Sequence, residues 1–257
     1  MSQINDDFHW TQESWGRALR CKAISAPHLF STSDLELRKA DDLPGAGWDR
    51  LAATLGVQAG NLFRPKQVHG DAVTAVSEAP ADAADTKDVR RAPADIIMAS
   101  RPDVAVAVQA ADCVPLLFED RRSGAVAAAH AGWRGTAAGV ARKTIQAMHT
   151  HFGADRADLT VAIGPSIGPC CYEVGEELLA AFGPGGRRWF YRLSGRLLLN
   201  LWSANVDQLL EAGVDRKAIH VAELCTAMHP DLFPSYRRDG EKAGRLAAAI
   251  RSGHHGA

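Results

Sequence analysis

The chain has 257 residues, 46% hydrophobic and 23% charged, with 29 Lys and Arg against 30 Asp and Glu and a formal net charge of -1. Such a composition fills a core, as one large domain or two small ones, and its balance excludes an electrostatic basis for binding nucleic acid or an anionic membrane. The opening MSQINDDFHWTQES has neither the basic region nor the apolar stretch of a signal peptide, and no run approaches the ~18 apolar residues of a membrane helix. The expected setting is therefore cytoplasmic, with the five cysteines as free thiols.

Glu78 to Arg91 (EAPADAADTKDVRR) is rich in Ala and Asp and predicts an exposed connection. Val104 to Ala110 (VAVAVQA), Val114 to Phe118 (VPLLF) and Ala125 to His130 (AVAAAH) are short apolar runs that predict buried strands. The cluster EDRRSG, Glu119 to Gly124, predicts the turn between the last two. A helix is predicted from about Thr136 to Phe152, where Ala137, Val140, Ala141, Thr144, Ile145 and Met148 share one face and Gly153 suits the C-cap. A strand follows at Leu159 to Ile163; the stretch GPSIGPCC after it is too dense in Gly and Pro for a regular element. Glu176 to Phe182 predicts a helix, Trp189 to Leu193 and Leu197 to Leu201 a hairpin around Ser194-Gly195, Ser203 to Ala212 a helix, and Ile219 to Ala222 a strand. The terminal SGHHGA predicts a frayed tail. There is no internal repeat, and strands and helices do not alternate regularly, so the fold class is α+β rather than doubly wound.

His69 in QVHG, Cys113 in ADCVP and His130 in HAGWRG each fall at a strand end or turn beside glycine or proline. A thiolate with two imidazoles is a good zinc set, and three protein ligands leave one coordination position open for chemistry. The separations are long and match no compact metal motif, so spacing alone leaves open the alternative of a buried cysteine and two packed histidines.

QVHG, ADCVPLLF, HAGWRG, IGPSIGPCCYEVG, LNLWSAN, the Cys225-Thr226 pair and SYRRDGEKAGR occur in this order between Phe63 and Arg245. Together they closely resemble the YfiH-like laccase-domain family, also named multicopper polyphenol oxidase or peptidoglycan editing factor. The resemblance implies a single α+β domain over residues 1–257, layered helix, sheet, sheet, helix, with metal ligands at His69, Cys113 and His130. It implies zinc, with copper as the alternative ion. It also implies an enzyme that phosphorolyses adenosine, inosine and methylthioadenosine and deaminates adenosine, so the expected partners are small molecules, a purine nucleoside and phosphate. The first 60 residues are less typical: Leu29-Phe30-Ser31-Thr32 runs into SDLELRKADD without the family's glycines, and its usual Asn-Arg pair stands as Asp49-Arg50.

Phosphorolysis needs a phosphate site, for which a planar guanidinium suits. Arg134, beside His130, is the first candidate, with the N–H groups of Gly135 and Thr136 at the following helix start; Arg50 is the second. For deamination a non-ligand carboxylate moves protons in other zinc deaminases. Asp112 is the nearest in sequence, although strand alternation would point it away from Cys113, to orient a ligand or the backbone. Gln67 would share the face of His69 and meet a base or ribose. Cys170 and Cys171 read as structural, since adjacent cysteines pair only with strain. Arg237 and Arg238 read equally as ion-pair or pocket residues.

Three other functions compete. Multicopper oxidation needs many clustered histidines, yet the one H-x-H pair, His149 and His151, falls in a predicted helix where the two diverge. A cysteine hydrolase would use Cys113 as nucleophile and His130 as base, and would suit peptidoglycan editing. A non-catalytic metal-binding scaffold is the third.

Overall fold

The computed structural model describes residues 4–37, 46–76 and 92–253. The predicted connection at 78–91 and the two histidines of the tail lie outside the described residues.

In chain order the elements begin with β1 (Phe8–Glu13), β2 (Gly16–Cys21), β3 (His28–Ser31), α1 (Ala46–Thr54), β4 (Leu62–Phe63), β5 (Val73–Val76), β6 (Ile96–Ala99) and β7 (Ala105–Ala110). They continue with β8 (Val114–Asp120), β9 (Val126–Ala131), α2 (Trp133–Ala138), α3 (Val140–Phe152), β10 (Leu159–Ile163) and α4 (Glu177–Gly186). The last are β11 (Phe190–Leu193), β12 (Arg196–Leu199), α5 (Leu201–Glu211), β13 (Ile219–Val221), α6 (Tyr236–Asp239) and β14 (Leu246–Arg251). Two mixed six-stranded sheets result, ordered β1-β2-β3-β14-β7-β4 and β13-β10-β8-β9-β6-β5, and β11-β12 form a separate hairpin.

The central strands read as unbroken apolar runs because both of their faces are covered. Successive side chains alternate between faces. Val106 and Val108 of β7 enter the layer between the sheets, where they share a core with Phe30, Phe63 and Leu117. Ala105 and Ala107 of the same strand point outward to Trp48 and Leu51 of α1. In the second sheet Ala127 and Ala129 of β9 face Val140, Ile145 and Met148 of α3 and Leu209 of α5. The layers are thus helix, sheet, sheet, helix, as the family resemblance implied. Small alanines on both outer sheet faces let the helices approach closely. No described helix is long and apolar enough to cross a membrane.

The long helix predicted at 136–152 is two helices, Trp133–Ala138 and Val140–Phe152, separated by Gly139 at φ 85°. Only glycine takes that left-handed conformation without steric cost. Gly153 at φ 66° caps α3 as predicted, and α3 carries both His149 and His151. The helix expected from Ser203 begins at Leu201, because the Asn200 side chain accepts a hydrogen bond from the Ser203 N–H and caps it. The hairpin around Ser194-Gly195 is present, with Leu201 assigned to that helix instead.

Candidate metal centre

Three chain segments meet at one end of the sheets. His130 sits near the end of β9, paired with Pro115 of β8. Cys113 stands just before β8, in the bend from β7, and His69 lies in the loop before β5. One donor atom from each, two imidazole nitrogens and Cys113 Sγ, lie within 4.8 Å of one another. The imidazole rings meet edge to face, their centroids 4.9 Å apart. His130 is buried, Cys113 half-buried and His69 exposed, so the cluster opens to solvent on the His69 side.

A residue that sequence reasoning missed holds this arrangement. Asp95, directly before β6, is fully buried. Its Oδ1 lies 2.8 Å from His130 Nδ1 and accepts the His69 N–H at 3.1 Å. Its Oδ2 accepts the N–H groups of Val68 at 3.2 Å and Gly70 at 2.7 Å. The His130 N–H donates to the Asp95 carbonyl at 2.8 Å. A carboxylate can only accept, so His130 Nδ1 carries a proton and Nε2 is the nitrogen that faces the cluster, its own proton being the one an incoming ion would displace. His69 at φ 60° and Asp112 at φ 83° are two of four described non-glycine residues with positive φ, and both adjoin or belong to the ligand set. Backbone strain of this kind persists only where its surroundings impose it.

Gly132 makes room for the Cys113 thiol and the His69 ring. A Cβ there would stand 2.9 Å from Cys113 Sγ and 3.4 Å from His69 Cδ2. Gly132→Ala is therefore expected to lower metal occupancy several-fold after dialysis while leaving the thermal unfolding of the metal-free chain nearly unchanged; elemental analysis and calorimetry check the two halves.

The donors fit a metal electrostatically as well. Burial alone would raise the Cys113 thiol, but the charge and hydrogen bond of His130, with His69, outweigh it and hold it at about 6. Burial would lower His130, but the Cys113 thiolate and Asp95 carry it up to about 9. Tyr172, at the end of the Gly/Pro loop, is pushed up to about 12 by burial and then by Cys113, with Arg237 and Arg134 acting against the shift. Half-buried Arg245 is lowered by desolvation, while Cys113, Glu241 and Asp112 pull it back up.

A family model described as multi-copper polyphenol oxidoreductase laccase matches residues 19–252. The chain belongs to this laccase family. Within it, a purine nucleoside phosphorylase of Bacteroides thetaiotaomicron is 40% identical over 162 residues, spanning 61% of this chain and 60% of that protein. A purine nucleoside phosphorylase of Deinococcus radiodurans is 35% identical over 90% of this chain and 91% of its own length. An adenosine deaminase, RL5, of an unidentified prokaryote is 31% identical over 78% of both. The crystal structure of YlmD from Geobacillus stearothermophilus superposes with a TM-score of 0.80 at 30% identity, covering 95% of this chain and 99% of that one. The laccase-domain resemblance read from the motifs holds.

The family name points to several coppers, but among the described residues the histidines do not cluster for them. His149 and His151 stand on α3, and the His/Cys/Asp/Glu groups with close donor atoms are His69/Cys113/His130 and the all-cysteine group Cys170/Cys171/Cys225.

The remaining candidate residues divide. Arg134 is exposed on α2, its guanidinium 4.3 Å from the Trp133 ring centroid. The Thr136 N–H is not free for an anion: it donates to the Gly132 carbonyl at 2.8 Å. Asp112 lies in a bend, so strand alternation does not set its direction. Its Oδ1 accepts from Thr226 Oγ1 at 2.6 Å and its Oδ2 from the Arg237 N–H at 2.6 Å. Asp112 thus ties two distant segments to the loop that carries Cys113. The Gln67 amide is spent on the main chain of Gln109, donating at 2.8 Å and accepting at 2.7 Å. Arg50 is exposed on α1, in the layer outside the first sheet; among the described residues its side chain makes no hydrogen bond or ion pair to the cluster. Arg238 is a structural clamp on the carbonyls of Thr226 and Phe233, at 3.0 and 2.9 Å. Arg237 stands over the Tyr172 ring and donates to the Glu173 carbonyl at 2.9 Å, beside the centre.

Proposed function

We propose that this protein phosphorolyses purine nucleosides, adenosine, inosine and methylthioadenosine among them, at a zinc ion held by His69, Cys113 and His130, and deaminates adenosine at the same centre. The observation that carries this reading is one three-donor cluster, open on one side, with Arg134, Arg237 and Arg245 gathered within electrostatic reach of it or of its neighbour Tyr172. The names of the relatives, phosphorylases and a deaminase, support it, and residues 1–257 are taken as a single catalytic domain. Copper is the alternative ion, since the same donors bind it well.

Bound there, zinc would supply Lewis-acid polarisation and lower the pKa of a coordinated water, the chemistry deamination needs. The chain's own residues do the rest. In phosphorolysis a phosphate oxygen bonds to the ribose C1′, the C1′–N9 bond breaks, and the departing purine gains a proton. Arg134 and Arg237 hold the phosphate dianion and set its line of attack. Asp112 positions the Cys113 loop and the Arg237 backbone, and Asp95 fixes His69 and His130. Gln67, its amide already engaged, acts as a brace for the His69 loop.

The deciding experiment counts metals in untagged protein and assays adenosine with and without phosphate; about one zinc per chain and phosphate-dependent release of adenine are expected. Metal-free chains with no nucleoside turnover would overturn the reading. Arg134→Ala is expected to raise the KM for phosphate by about 10- to 100-fold, roughly 1.4–2.7 kcal/mol of binding, with a smaller effect on the nucleoside KM; steady-state kinetics in both substrates check it.

One observation favours a second reading, the cysteine hydrolase: a thiol held at about 6 beside an imidazole carried to about 9 is also a thiolate–imidazolium pair, a nucleophile with a proton donor beside it. Because the thiolate is the reactive form, alkylation of Cys113 in the metal-free chain should be half-maximal near pH 6 and level above pH 7, where an ordinary thiol still accelerates. One equivalent of zinc should slow it at least about tenfold. A hydrolytic activity on peptidoglycan precursors that survives stoichiometric zinc would favour the hydrolase.

A further inference from the structure

A second group of soft donors lies outside the centre just described. The loop from β10 to α4 brings Cys170 and Cys171 against Cys225, which follows β13. The three Sγ atoms lie within 4.8 Å of one another, and those of Cys170 and Cys171 are 3.5 Å apart. Their exposure is graded: Cys170 exposed, Cys171 half-buried, Cys225 buried.

The surroundings are arranged around sulfur. A Cβ on Gly168 would stand 3.1 Å from Cys225 Cβ, 3.3 Å from Cys170 Sγ and 2.9 Å from Trp202 Cη2; only glycine lets the two thiol-bearing segments close on each other. The same residue's N–H donates to Cys225 Sγ at 3.2 Å. Ser166 pairs with Cys225 as a β-bridge, and the Thr226 N–H donates to the Ser166 carbonyl at 3.0 Å. The loop is therefore pinned to the strand end on either side of the sulfurs, and the Trp202 indole N–H donates to Ser166 Oγ at 2.7 Å above them.

We propose that Cys170, Cys171 and Cys225 form a separate binding site for Cu(I). The donor set consists of three thiols, with no imidazole or carboxylate in the group, and soft thiolates select Cu(I). Zinc completes four ligands in its structural sites, and this group offers three. An ion at the centre of a sulfur triangle with metal–sulfur bonds of about 2.3 Å sets the sulfurs about 4 Å apart, which the separations here match to within a small side-chain adjustment. Binding displaces thiol protons and changes no oxidation state, so no oxidant is required. A disulfide is the poorer use of the group, because the closest pair are chain neighbours, whose bridge is strained. Exposed Cys170 gives the ion its entry, and the buried Cys225 its anchor.

The test is anaerobic titration of the full-length, zinc-loaded protein with Cu(I) against a chromophoric Cu(I) chelator, so that the His69/Cys113/His130 donors are already occupied. One Cu(I) per chain is expected, with an X-ray absorption spectrum showing sulfur neighbours alone. Cys170→Ser, an exposed position, is expected to weaken Cu(I) by more than tenfold while zinc content is unchanged; Cys171→Ser should do the same. Gly168→Ala gives an independent arm through the sulfur geometry. Undiminished Cu(I) affinity in Cys170→Ser and Cys171→Ser, nitrogen neighbours in the spectrum, or no Cu(I) retained against the chelator would each overturn the proposal.

Discussion

Cys113→Ala is expected to reduce bound zinc from about one per chain to a trace after dialysis and to cut phosphorolysis and deamination together by at least about 1000-fold, some 4 kcal/mol of transition-state stabilisation. The loss is large because Cys113 is the anionic donor of the set; two neutral imidazoles remain, one of them on an exposed loop. Stability should move little. Cys113 is half-buried at the edge of the fold, and buried His130, which loses the thiolate as a partner in the metal-free chain, keeps Asp95 at 2.8 Å. Elemental analysis, both activities and thermal unfolding of the same sample separate the outcomes. Loss of activity with zinc retained would mean that Cys113 acts as a nucleophile and not as a ligand. Loss of one activity alone would mean that phosphorolysis and deamination use different groups.

The sequence made the ligand set readable because each ligand lies in a short motif with its own punctuation: His69 before Gly70, Cys113 before Val114-Pro115, His130 before Ala131-Gly132. Val114–Phe118 was equally legible, since burial on both faces leaves a continuous apolar run; Glu119 and Asp120, read with the turn, instead end that strand as fully buried residues, accepting from the Ser25 and Ser123 hydroxyls. The ligands' supports were not legible. Asp95 sits singly before Ile96–Ala99, and its four acceptor contacts come from residues 25 to 35 positions away. One signal for it existed: a lone carboxylate abutting a fully apolar strand must find donors or be expelled. Asp112 was read on a strand because its neighbours are apolar on both sides; a left-handed φ, invisible in composition, turns the chain there instead. The N-terminal strands at Phe8–Glu13 and Gly16–Cys21 were missed altogether, because they lie near a sheet edge and alternate only weakly, with polar residues over much of their length. Arg245 was visible inside SYRRDGEKAGR but carried no role until folding set it near Cys113.

Asp95→Asn is the substitution expected to damage both metal binding and fold. The carboxylate accepts on both oxygens, from the His69 N–H and His130 on one and from the Val68 and Gly70 N–H groups on the other. An amide has one accepting oxygen, so either orientation turns its NH2 group toward donors. If the oxygen faces Val68 and Gly70, the amide nitrogen faces His130 Nδ1. His130 can then satisfy it only by moving its proton to Nε2, which removes the lone pair the ion needs. If the oxygen faces His130, two backbone N–H groups lose their acceptor and the left-handed His69 turn loses its restraint. Orphaning these two part-buried donors costs about 1–3 kcal/mol, a fall of roughly 2–10 °C in Tm for a chain of this size. Zinc affinity should drop about 10- to 100-fold. The pH dependence gives an independent check. Burial would raise Asp95, but the His130 interaction and the Gly70 and Val68 N–H bonds bring its carboxyl below the ordinary value. Its stabilisation is then fully present above about pH 4 and lost as the pH falls through the lowered value; the Asn variant has no such carboxyl to protonate. Acid titration should narrow the stability gap between wild type and Asp95→Asn, and a gap that stays constant to the lowest pH would show that Asp95 contributes shape and not charge.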